Sequence, residues 1–356
     1  MTRIRAQNLL IFTVCFYRHR RAFGGDAEDA AYPQKNPGFK DAEEKYDEIN
    51  YENLMKFEEF TELLVDCMKA RLAPNDSGIQ IKTDKILKNN GVTLTALNIR
   101  KTSQNICPTI YIEPYYREFE KGRSMADICS SIIDIYMRNG TDDRLTFEKV
   151  MDESDVKNNI ILRIVNREKN RKLLETVPYV EYQNMAVTFR RVIEVSDTGI
   201  SSSGVTNSDM DRWRLDLDTM YRLALANTER LFPPVIKDLF SVLEDRYDYS
   251  VSENIGQAPD IDELYVMTNE YDINGASVIL YDGTLARCAD MVDDDIYILP
   301  CSVHELLFIR AHCSFGEDYL KNLVHEANRS AITPMEFLSD SIYVYRRDSG
   351  ELTEIV

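Results

Sequence analysis

Residues 54–100 combine the pattern of an amphipathic helix with that of a tight hairpin, and this combination most constrains the fold. Within residues 54–72 apolar side chains recur every three or four positions, which predicts an amphipathic helix. Two segments that alternate apolar and polar residues follow, at 79–87 and 92–100. The sequence Asn89-Asn90-Gly91 between them favours a tight antiparallel turn, because asparagine and glycine tolerate positive φ.

The same pattern continues with a third strand and a second helix. A β-like run at 109–113 is rich in Ile and Tyr, and Ser124 with Asp127 forms a capping-box pattern at a helix start. The order helix, three strands, helix predicts an α+β fold. Further helices are predicted at 156–175, 216–231, from 233 onward, 283–292 and 319–328. Further strands are predicted at 185–195, 264–268, 276–281, 296–300, 303–309, 342–346 and 352–355.

A connection between two subdomains is predicted at residues 196–211. This segment collects Ser, Gly, Asn and Asp, which stabilise turns and resist regular structure. We therefore expect an N-terminal α+β subdomain at 54–195 and a C-terminal α+β subdomain at 212–356. The two subdomains are expected to associate, each with a mostly antiparallel sheet packed by helices.

Residues 1–53 are predicted to be a poorly ordered leader or a mis-assigned start. The apolar run at 9–17 resembles a signal sequence, but four basic residues at 18–21 stand where a cleavage site should be. The following residues, 24–52, are polar and acidic without sustained periodicity. Met55 opens the first amphipathic helix and is a natural start, while a short membrane-surface anchor is the alternative.

Charge and cysteine content narrow the class of protein. The 42 basic and 60 acidic residues give a net charge of −18, which repels nucleic acid and anionic lipid. The seven cysteines are scattered without a C-x-x-C pair, and we interpret them as reduced thiols in a cytoplasm. No apolar run approaches the roughly 18 residues that a membrane span needs. We therefore predict a cytoplasmic protein that binds neither nucleic acid nor a membrane.

Histidines near the end of the chain are the first candidates for chemistry. His304, His312 and His325 lie within a short stretch, and two of them precede Glu305 and Glu326. They could ligate a metal or act as a general base beside a carboxylate. The H-E-x-x-H spacing of zinc proteases is absent, and on a strand neighbouring side chains point to opposite faces. We therefore favour structural histidines and predict neither a metal nor a cofactor.

Three further motifs each allow a functional and a structural interpretation. Cys301-Ser302 beside His304 could supply a nucleophile, but the same residues suit a turn between strands. The acids 293–295 could hold a divalent cation, or form a solvated turn. Tyr111, Tyr115 and Tyr116 could form a recognition surface, or the half-buried face of a sheet. In each case we favour the structural interpretation.

Several strings carry a family resemblance that spans residues 54–355. They are MKFEEF, KNNGVTLTALNIR, CPTIYIEPYYREFEKG, TVPYVEYQNMAVTFR, YRLALANT, ELYVMTN, INGASVILY, IYILPCSVHELL and FLSDSIYVYRRDSGELT. Together they resemble the uncharacterised bacterial domain-of-unknown-function family labelled 5688. A weaker similarity, confined to the stretch from PYVEYQNMAV to ALANT and to the string ILPCSVHE, is to a second uncharacterised family of Gram-positive bacteria. The resemblance implies one coherent module without a known activity. It also points to Asn269, residues 274–276 and residues 300–305 as a shared surface.

These observations predict a soluble, non-catalytic interaction or regulatory module with an unidentified protein partner. The alternative is a hydrolase-like enzyme whose site lies around His304 and Glu305, with Asn269 as a further weak catalytic candidate. Convergence of these three residues in one concave pocket would favour the enzyme. A third interpretation is an acidic inhibitor that mimics DNA, which would need carboxylates spaced along an exposed ridge.

Overall fold

The chain folds into two compact units in a computed structural model, which describes residues 55–72, 78–101, 109–139, 153–196, 199–244, 264–300 and 302–355. The smaller unit contains the described residues up to Lys88 and those from Val92 to Asn139. The larger unit contains Asn89–Gly91 and the described residues from Glu153 onward. None of the described helices has the length and apolar character that crossing a bilayer requires. The residues 1–53 predicted as a leader lie outside the described residues.

The smaller unit is built from helices packed on a three-stranded sheet. Its elements are α1 (Phe57–Leu72), β1 (Ile79–Leu87), β2 (Thr93–Lys101), β3 (Thr109–Tyr111), α2 (Glu113–Glu120) and α3 (Met125–Asn139). The sheet order is β1-β2-β3, and both pairings are antiparallel. The predicted stripe of α1 is buried, which confirms the helix: Phe60, Leu64, Cys67, Met68 and Leu72. These side chains pack with the buried face of α3 in one hydrophobic core.

Two local signals form as predicted, one in the turn between β1 and β2 and one at the start of α3. Asn90 and Gly91 both adopt positive φ, 59° and 73°, between β1 and β2. The hydroxyl of Ser124 accepts a hydrogen bond from the Asp127 backbone N–H at 3.1 Å, which caps α3. The capping box satisfies a backbone group locally, and the turn depends on residues that tolerate positive φ, so the sequence is sufficient to place both.

The larger unit contains a four-stranded and a six-stranded sheet. Its first elements are α4 (Glu153–Asn159), β4 (Ile160–Asn166), α5 (Arg171–Leu174), β5 (Tyr179–Tyr182), β6 (Met185–Ser196), β7 (Gly199–Gly204), α6 (Asn207–Trp213), α7 (Leu217–Leu231), β8 (Pro234–Asp238) and α8 (Leu239–Glu244). Those that follow are β9 (Leu264–Asn269), a 3₁₀ helix (Gly275–Leu280), α9 (Thr284–Val292), β10 (Ile296–Leu299), β11 (Leu306–Arg310), α10 (Glu317–Ser330), β12 (Ile342–Arg346) and β13 (Glu351–Ile355).

Antiparallel pairing organises both sheets of the larger unit. The six-stranded sheet has the order β13-β12-β10-β11-β9-β8, while β6 pairs with β4, β5 and β7 in the other sheet. One hydrophobic core takes side chains from both sheets, among them Phe189 of β6 and Phe308 of β11. Helix α10 packs its apolar stripe on the opposite face of the six-stranded sheet. The predicted α+β class with mostly antiparallel sheets is confirmed.

Three predicted elements are wrong in type. Residues 156–175 were expected to be mainly helical, but the central part is β4, buried on both faces. The helix predicted from Pro233 onward begins only at Leu239, because Pro234–Asp238 pair with β9 as β8. The strand predicted at 276–281 is a fully buried 3₁₀ helix. In each case a short apolar run fits either a strand or a buried helix, and tertiary packing decides.

The structure also differs from the predicted connection at 196–211. Gly199–Gly204 form β7 on the edge of β6, and Asn207–Trp213 form α6, which Thr206 caps. Ser and Gly disfavour a strand intrinsically, but an available sheet edge satisfies their backbone groups. The boundaries between the two compact units lie at residues 88–92 and before Glu153. The strand at 185–195, which was expected to end an N-terminal subdomain, therefore belongs to the larger unit.

Candidate functional site

The strand pairing brings two of the predicted site residues together in the larger unit. Asn269 ends β9, and His304 and Glu305 directly precede β11. These strands are antiparallel neighbours, with Leu306 opposite Met267. The hydroxyl of Thr268 donates a hydrogen bond to the His304 carbonyl oxygen at 2.9 Å. The sequence placed Asn269 and His304 on separate segments, and the sheet makes them neighbours.

Asn269 closes a turn with its side chain. Its amide nitrogen donates to the Ile273 carbonyl oxygen at 2.9 Å, and its Oδ1 accepts from the backbone N–H of Tyr271 at 3.0 Å. The side chain is buried, with 3% of the residue exposed. Because both ends of the amide bind backbone groups, Asn269 fixes the conformation of the turn at residues 269–275.

Gly275 allows this turn to approach the segment that carries His304. A Cβ at this position would lie 2.2 Å from the Thr268 hydroxyl and 2.3 Å from the His304 carbonyl oxygen. These distances are far below van der Waals contact, so only glycine fits. The preceding Asn274 has φ 53°, which turns its backbone N–H toward the imidazole. The segment at 274–276, which the resemblance marked as shared, is thus a close backbone contact.

Both ring nitrogens of His304 face polar groups. The Asn274 backbone N–H donates to Nδ1 at 3.2 Å, and Nε2 lies 3.8 Å from Oε1 of Glu336. Since Nδ1 is the acceptor, the neutral ring carries its proton on Nε2, the atom that faces the carboxylate. The His304 and Glu336 side chains keep 25% and 20% of their surface exposed. The pair therefore lies at the protein surface, and its ring orientation is held from two sides.

Glu336 is the member of this site that sequence analysis missed. Its Oε2 accepts from the Thr333 hydroxyl at 2.8 Å, and its carbonyl oxygen accepts from the Val303 backbone N–H at 2.8 Å. The first bond lies within the segment before β12, and the second connects that segment to the one before β11. The only sequence signal is the spacing Thr-x-x-Glu, which indicates a local turn and says nothing about His304.

Glu305 does not share the surface of His304. The residue is 1% exposed, in contrast to the half-buried histidine next to it. Ser302 is also buried, and its hydroxyl accepts from the His304 backbone N–H at 3.1 Å. Cys301 lies outside the described residues. The geometry thus brings His304 together with Glu336 and Asn274, and places Glu305 inside the unit.

Of the other histidines, the two that the structure describes each meet a different carboxylate. Nδ1 of His312 lies 2.8 Å from Oδ1 of Asp294, and Nδ1 of His325 lies 3.6 Å from Oδ1 of Asp340. Among the residues that the structure describes, no group of three or more His, Cys, Asp or Glu side chains is arranged to hold a metal ion.

The acids 293–295 are neutralised by arginines. Nη1 of Arg346 lies 2.7 Å from Asp295, while Arg347 binds both Asp290 and Asp293. Hydrogen bonding from Arg346 and from the Arg347 backbone lowers the pKa of Asp295. Burial opposes ionisation of Asp294, but hydrogen bonds from His312 outweigh it and lower the pKa of that carboxyl. These acids form an ion-paired surface network, and not a ligand set pointing at one centre.

The predicted tyrosine surface lies partly on a helix. Tyr115 and Tyr116 belong to α2 instead of a strand, and both are half-buried. The Tyr116 hydroxyl donates to the Met55 carbonyl oxygen at 2.7 Å, and its ring packs on Phe57. These contacts assign Tyr116 to the packing of the smaller unit.

The residues of the candidate site lie within a segment that matches a known sequence family. The sequence model of DUF5688, a family of unknown function, matches residues 57–347. The chain belongs to this family. No curated protein and no solved structure matches the chain significantly. The DUF5688 match includes all residues from Asn269 to Glu336, and the family description assigns none of them a role.

Proposed function

We propose that this DUF5688 protein is a soluble, non-catalytic interaction or regulatory module that binds a protein partner. The observation that carries the proposal is the engagement of both His304 ring nitrogens, Nδ1 by the Asn274 N–H and Nε2 toward Glu336. A general base needs a lone pair directed at a substrate proton. Here the only nitrogen lone pair available in the plane of the neutral ring, on Nδ1, already accepts a hydrogen bond from the Asn274 backbone N–H. The imidazole therefore serves to connect two loops.

The surface proposed for the partner is the 269–275 turn. Asn269 fixes this turn, and Tyr271 on it is 41% exposed. The Tyr271 ring packs edge-on against Phe232 at a centroid distance of 5.5 Å, which restricts its position. Rigid, partly exposed aromatic side chains are frequent anchors of protein interfaces, because they bury a large area at a low cost in conformational entropy.

The hydrolase-like alternative draws on the same pair of side chains. A carboxylate beside an imidazole orients a general base in many hydrolases, and Glu336 stands 3.8 Å from Nε2 of His304. That arrangement needs the other ring nitrogen to be available, whereas Nδ1 already accepts from Asn274. The burial of Glu305 also removes the partner that the sequence suggested. We therefore favour the interaction module.

The proposal includes a bacterial cytoplasm as the location. The net charge of −18 disfavours binding to anionic lipid or nucleic acid, and the described cysteines, Cys67, Cys129, Cys288 and Cys313, are present as thiols. The resemblance of the sequence strings to a bacterial family supports the same origin.

The interaction is tested by affinity capture with the full chain, followed by reconstitution with the purified partner. Tyr271→Ala should weaken binding by about tenfold or more, as expected for an anchor residue. Met291→Ala is the matched control, because Met291 is also an exposed apolar side chain of the larger unit but lies on α9. Equal binding by wild type and Tyr271→Ala would remove this turn from the proposed interface.

The enzyme alternative needs its own assay. Purified protein is incubated with chromogenic ester, amide and phosphate substrates, and His304→Gln is compared with wild type. We expect both to be inactive. Hydrolysis by wild type that His304→Gln abolishes, with unfolding still cooperative, would replace the interaction module by the enzyme.

A further inference from the structure

Two cysteine side chains meet in the core of the smaller unit. Cys67 lies on α1 and Cys129 on α3, and their Sγ atoms are 2.6 Å apart. This distance exceeds the covalent S–S bond by only about half an ångström. Both side chains are buried, with 4% of Cys67 and none of Cys129 exposed. Separated by 62 positions in sequence, the two residues form no recognisable motif.

Arg71 places a positive charge beside the pair. It stands one turn after Cys67 on α1, and its Nη1 donates to the Ala126 carbonyl oxygen at 3.2 Å and to the Ser130 hydroxyl at 2.9 Å. These two bonds connect the guanidinium to α3 on either side of Cys129. The cation is thus held next to the thiols by both helices.

The two thiols differ in their ionisation. The hydrogen bond from Cys129 and the charge of Arg71 lower the pKa of Cys67 to about 7, against the effect of burial. Donation of that hydrogen bond, together with burial, raises the pKa of Cys129. Cys67 is therefore the more acidic thiol of the pair and the nucleophile once it ionises, while Cys129 is the thiol that keeps its proton. A low-pKa thiolate next to a second thiol is the arrangement that forms disulfides readily.

We propose that Cys67 and Cys129 are a redox site, at which a hydroperoxide converts the thiol pair into a reversible disulfide that joins α1 to α3. This inference is independent of the proposed partner binding, since it concerns residues of the smaller unit alone.

The reaction takes two steps that balance. The Cys67 thiolate attacks the terminal peroxide oxygen, so that an S–O bond forms, the O–O bond breaks and alkoxide leaves, which is hydroxide when the oxidant is hydrogen peroxide. Sγ of Cys129 then attacks Sγ of Cys67, so that the S–S bond forms, the S–O bond breaks and the departing hydroxide takes the Cys129 proton. Two thiols are oxidised by two electrons, and the hydroperoxide is reduced. A dithiol reductant reverses the change by two exchanges.

The disulfide would stabilise the smaller unit. It closes the chain between Cys67 and Cys129, which contains β1, β2, β3 and α2. A cross-link over a segment of this length removes much of the conformational freedom of the unfolded chain. We expect the midpoint temperature of thermal unfolding of the smaller unit to rise by roughly 10 °C on oxidation.

The test uses the full chain, reduced, freed of reductant and treated with hydrogen peroxide. After denaturation, alkylation and proteolysis, mass spectrometry should find one peptide that links Cys67 to Cys129, and dithiothreitol should abolish it. Cys288→Ser is the matched control, since Cys288 is another buried thiol, whose pKa burial raises to about 12. This variant should form the linked peptide as wild type does. Cys129→Ser should instead give a Cys67 sulfenic acid that dimedone traps.

Substitution of Arg71 supplies a second test, which measures the rate of disulfide formation. This rate would not depend on the charge of residue 71 if the two thiols were only packed together. The rate of disulfide formation should increase with pH through about 7, the pKa of Cys67. Arg71→Met should slow the reaction near neutral pH by about tenfold, and Arg71→Lys should restore most of the rate. Two alkylated, unlinked thiols in peroxide-treated wild type would overturn the proposal, as would a rate of disulfide formation that Arg71→Met leaves unchanged.

Discussion

The backbone N–H of Asn274 donates a hydrogen bond to Nδ1 of His304 across 3.2 Å. This bond determines which nitrogen of the neutral imidazole carries the proton, and it directs Nε2 toward Glu336. It also ties the turn after β9 to the segment before β11. The histidine that the sequence offered as a catalytic candidate is thereby part of a loop contact.

Replacement of His304 by Gln should lower the free energy of unfolding by about 1 kcal/mol, because one hydrogen bond between two loops is lost or weakened. Chemical denaturation measures the change. His325→Gln is the control, as His325 is 55% exposed and lies 3.6 Å from its carboxylate, and it should have a smaller effect. A larger loss in His325→Gln would contradict the role given to His304.

Gly275→Ala should destabilise the larger unit by about 3 kcal/mol, because the new methyl group has to displace the Thr268 hydroxyl and the His304 carbonyl oxygen. Thermal and chemical unfolding both report this. Gly204→Ala is the matched control, since a Cβ at Gly204 meets no atom within 4 Å. Similar stability of the two variants would mean that residues 269–275 do not approach His304 closely.

Gly91→Val should cost about 1 kcal/mol or more. Gly91 has φ 73°, which a β-branched residue adopts only with strain. The comparison is Gly204→Val on the edge strand β7, where valine suits the extended backbone. An unchanged denaturation midpoint in Gly91→Val would exclude the tight turn.

The ion-paired network around Asp295 should make stability depend on pH. Arg346 and the Arg347 backbone lower the pKa of this carboxyl in the folded state, so its contribution is complete above the unfolded pKa of about 3.9. The stabilisation by the Asp295 carboxylate is lost as the pH falls through the pKa of this group in the folded state, which is lower than in the unfolded state. Asp295→Asn should therefore cost up to about 1 kcal/mol near neutral pH, and the difference from wild type should vanish in strong acid.

The free energy of unfolding, measured from neutral pH to strong acid for wild type and Asp295→Asn, provides the check. Glu351→Gln, a change at an exposed carboxylate on β13, is the control and should follow the wild-type curve closely. An Asp295→Asn curve parallel to wild type at every pH would show that these ion pairs contribute nothing to stability.

Elements with local signals were predictable from the sequence. The stripe of α1, the capping box of α3 and the positive φ of Asn90 and Gly91 depend on residues close together in the chain. The helix at 217–231 has its cap at Asp216, and the long alternating run after Met185 is β6. Such elements satisfy their own backbone groups or repeat a period long enough to recognise.

The misassigned elements depend on distant partners. β4 is apolar on both faces because the two sides of its sheet are covered, so it shows no alternation. β7 is rich in Ser and Gly and exists because β6 offers a free edge. The same holds for the site, where sequence analysis named His304 and Asn269 but paired the histidine with its neighbour Glu305.

The sequence by itself determined the α+β class, the principal helices and the tight hairpin, since each follows from periodicity or from residues a few positions apart. It also determined the family, through strings distributed along the chain that the DUF5688 model matches. Only the tertiary structure decided that Glu336 faces His304 from 32 positions away and that Cys67 meets Cys129 from 62 positions away. Those pairs arise where the segments before β11 and before β12 meet, and where α1 packs against α3. Packing between distant segments minimises the free energy of the whole chain, so no local pattern records its outcome.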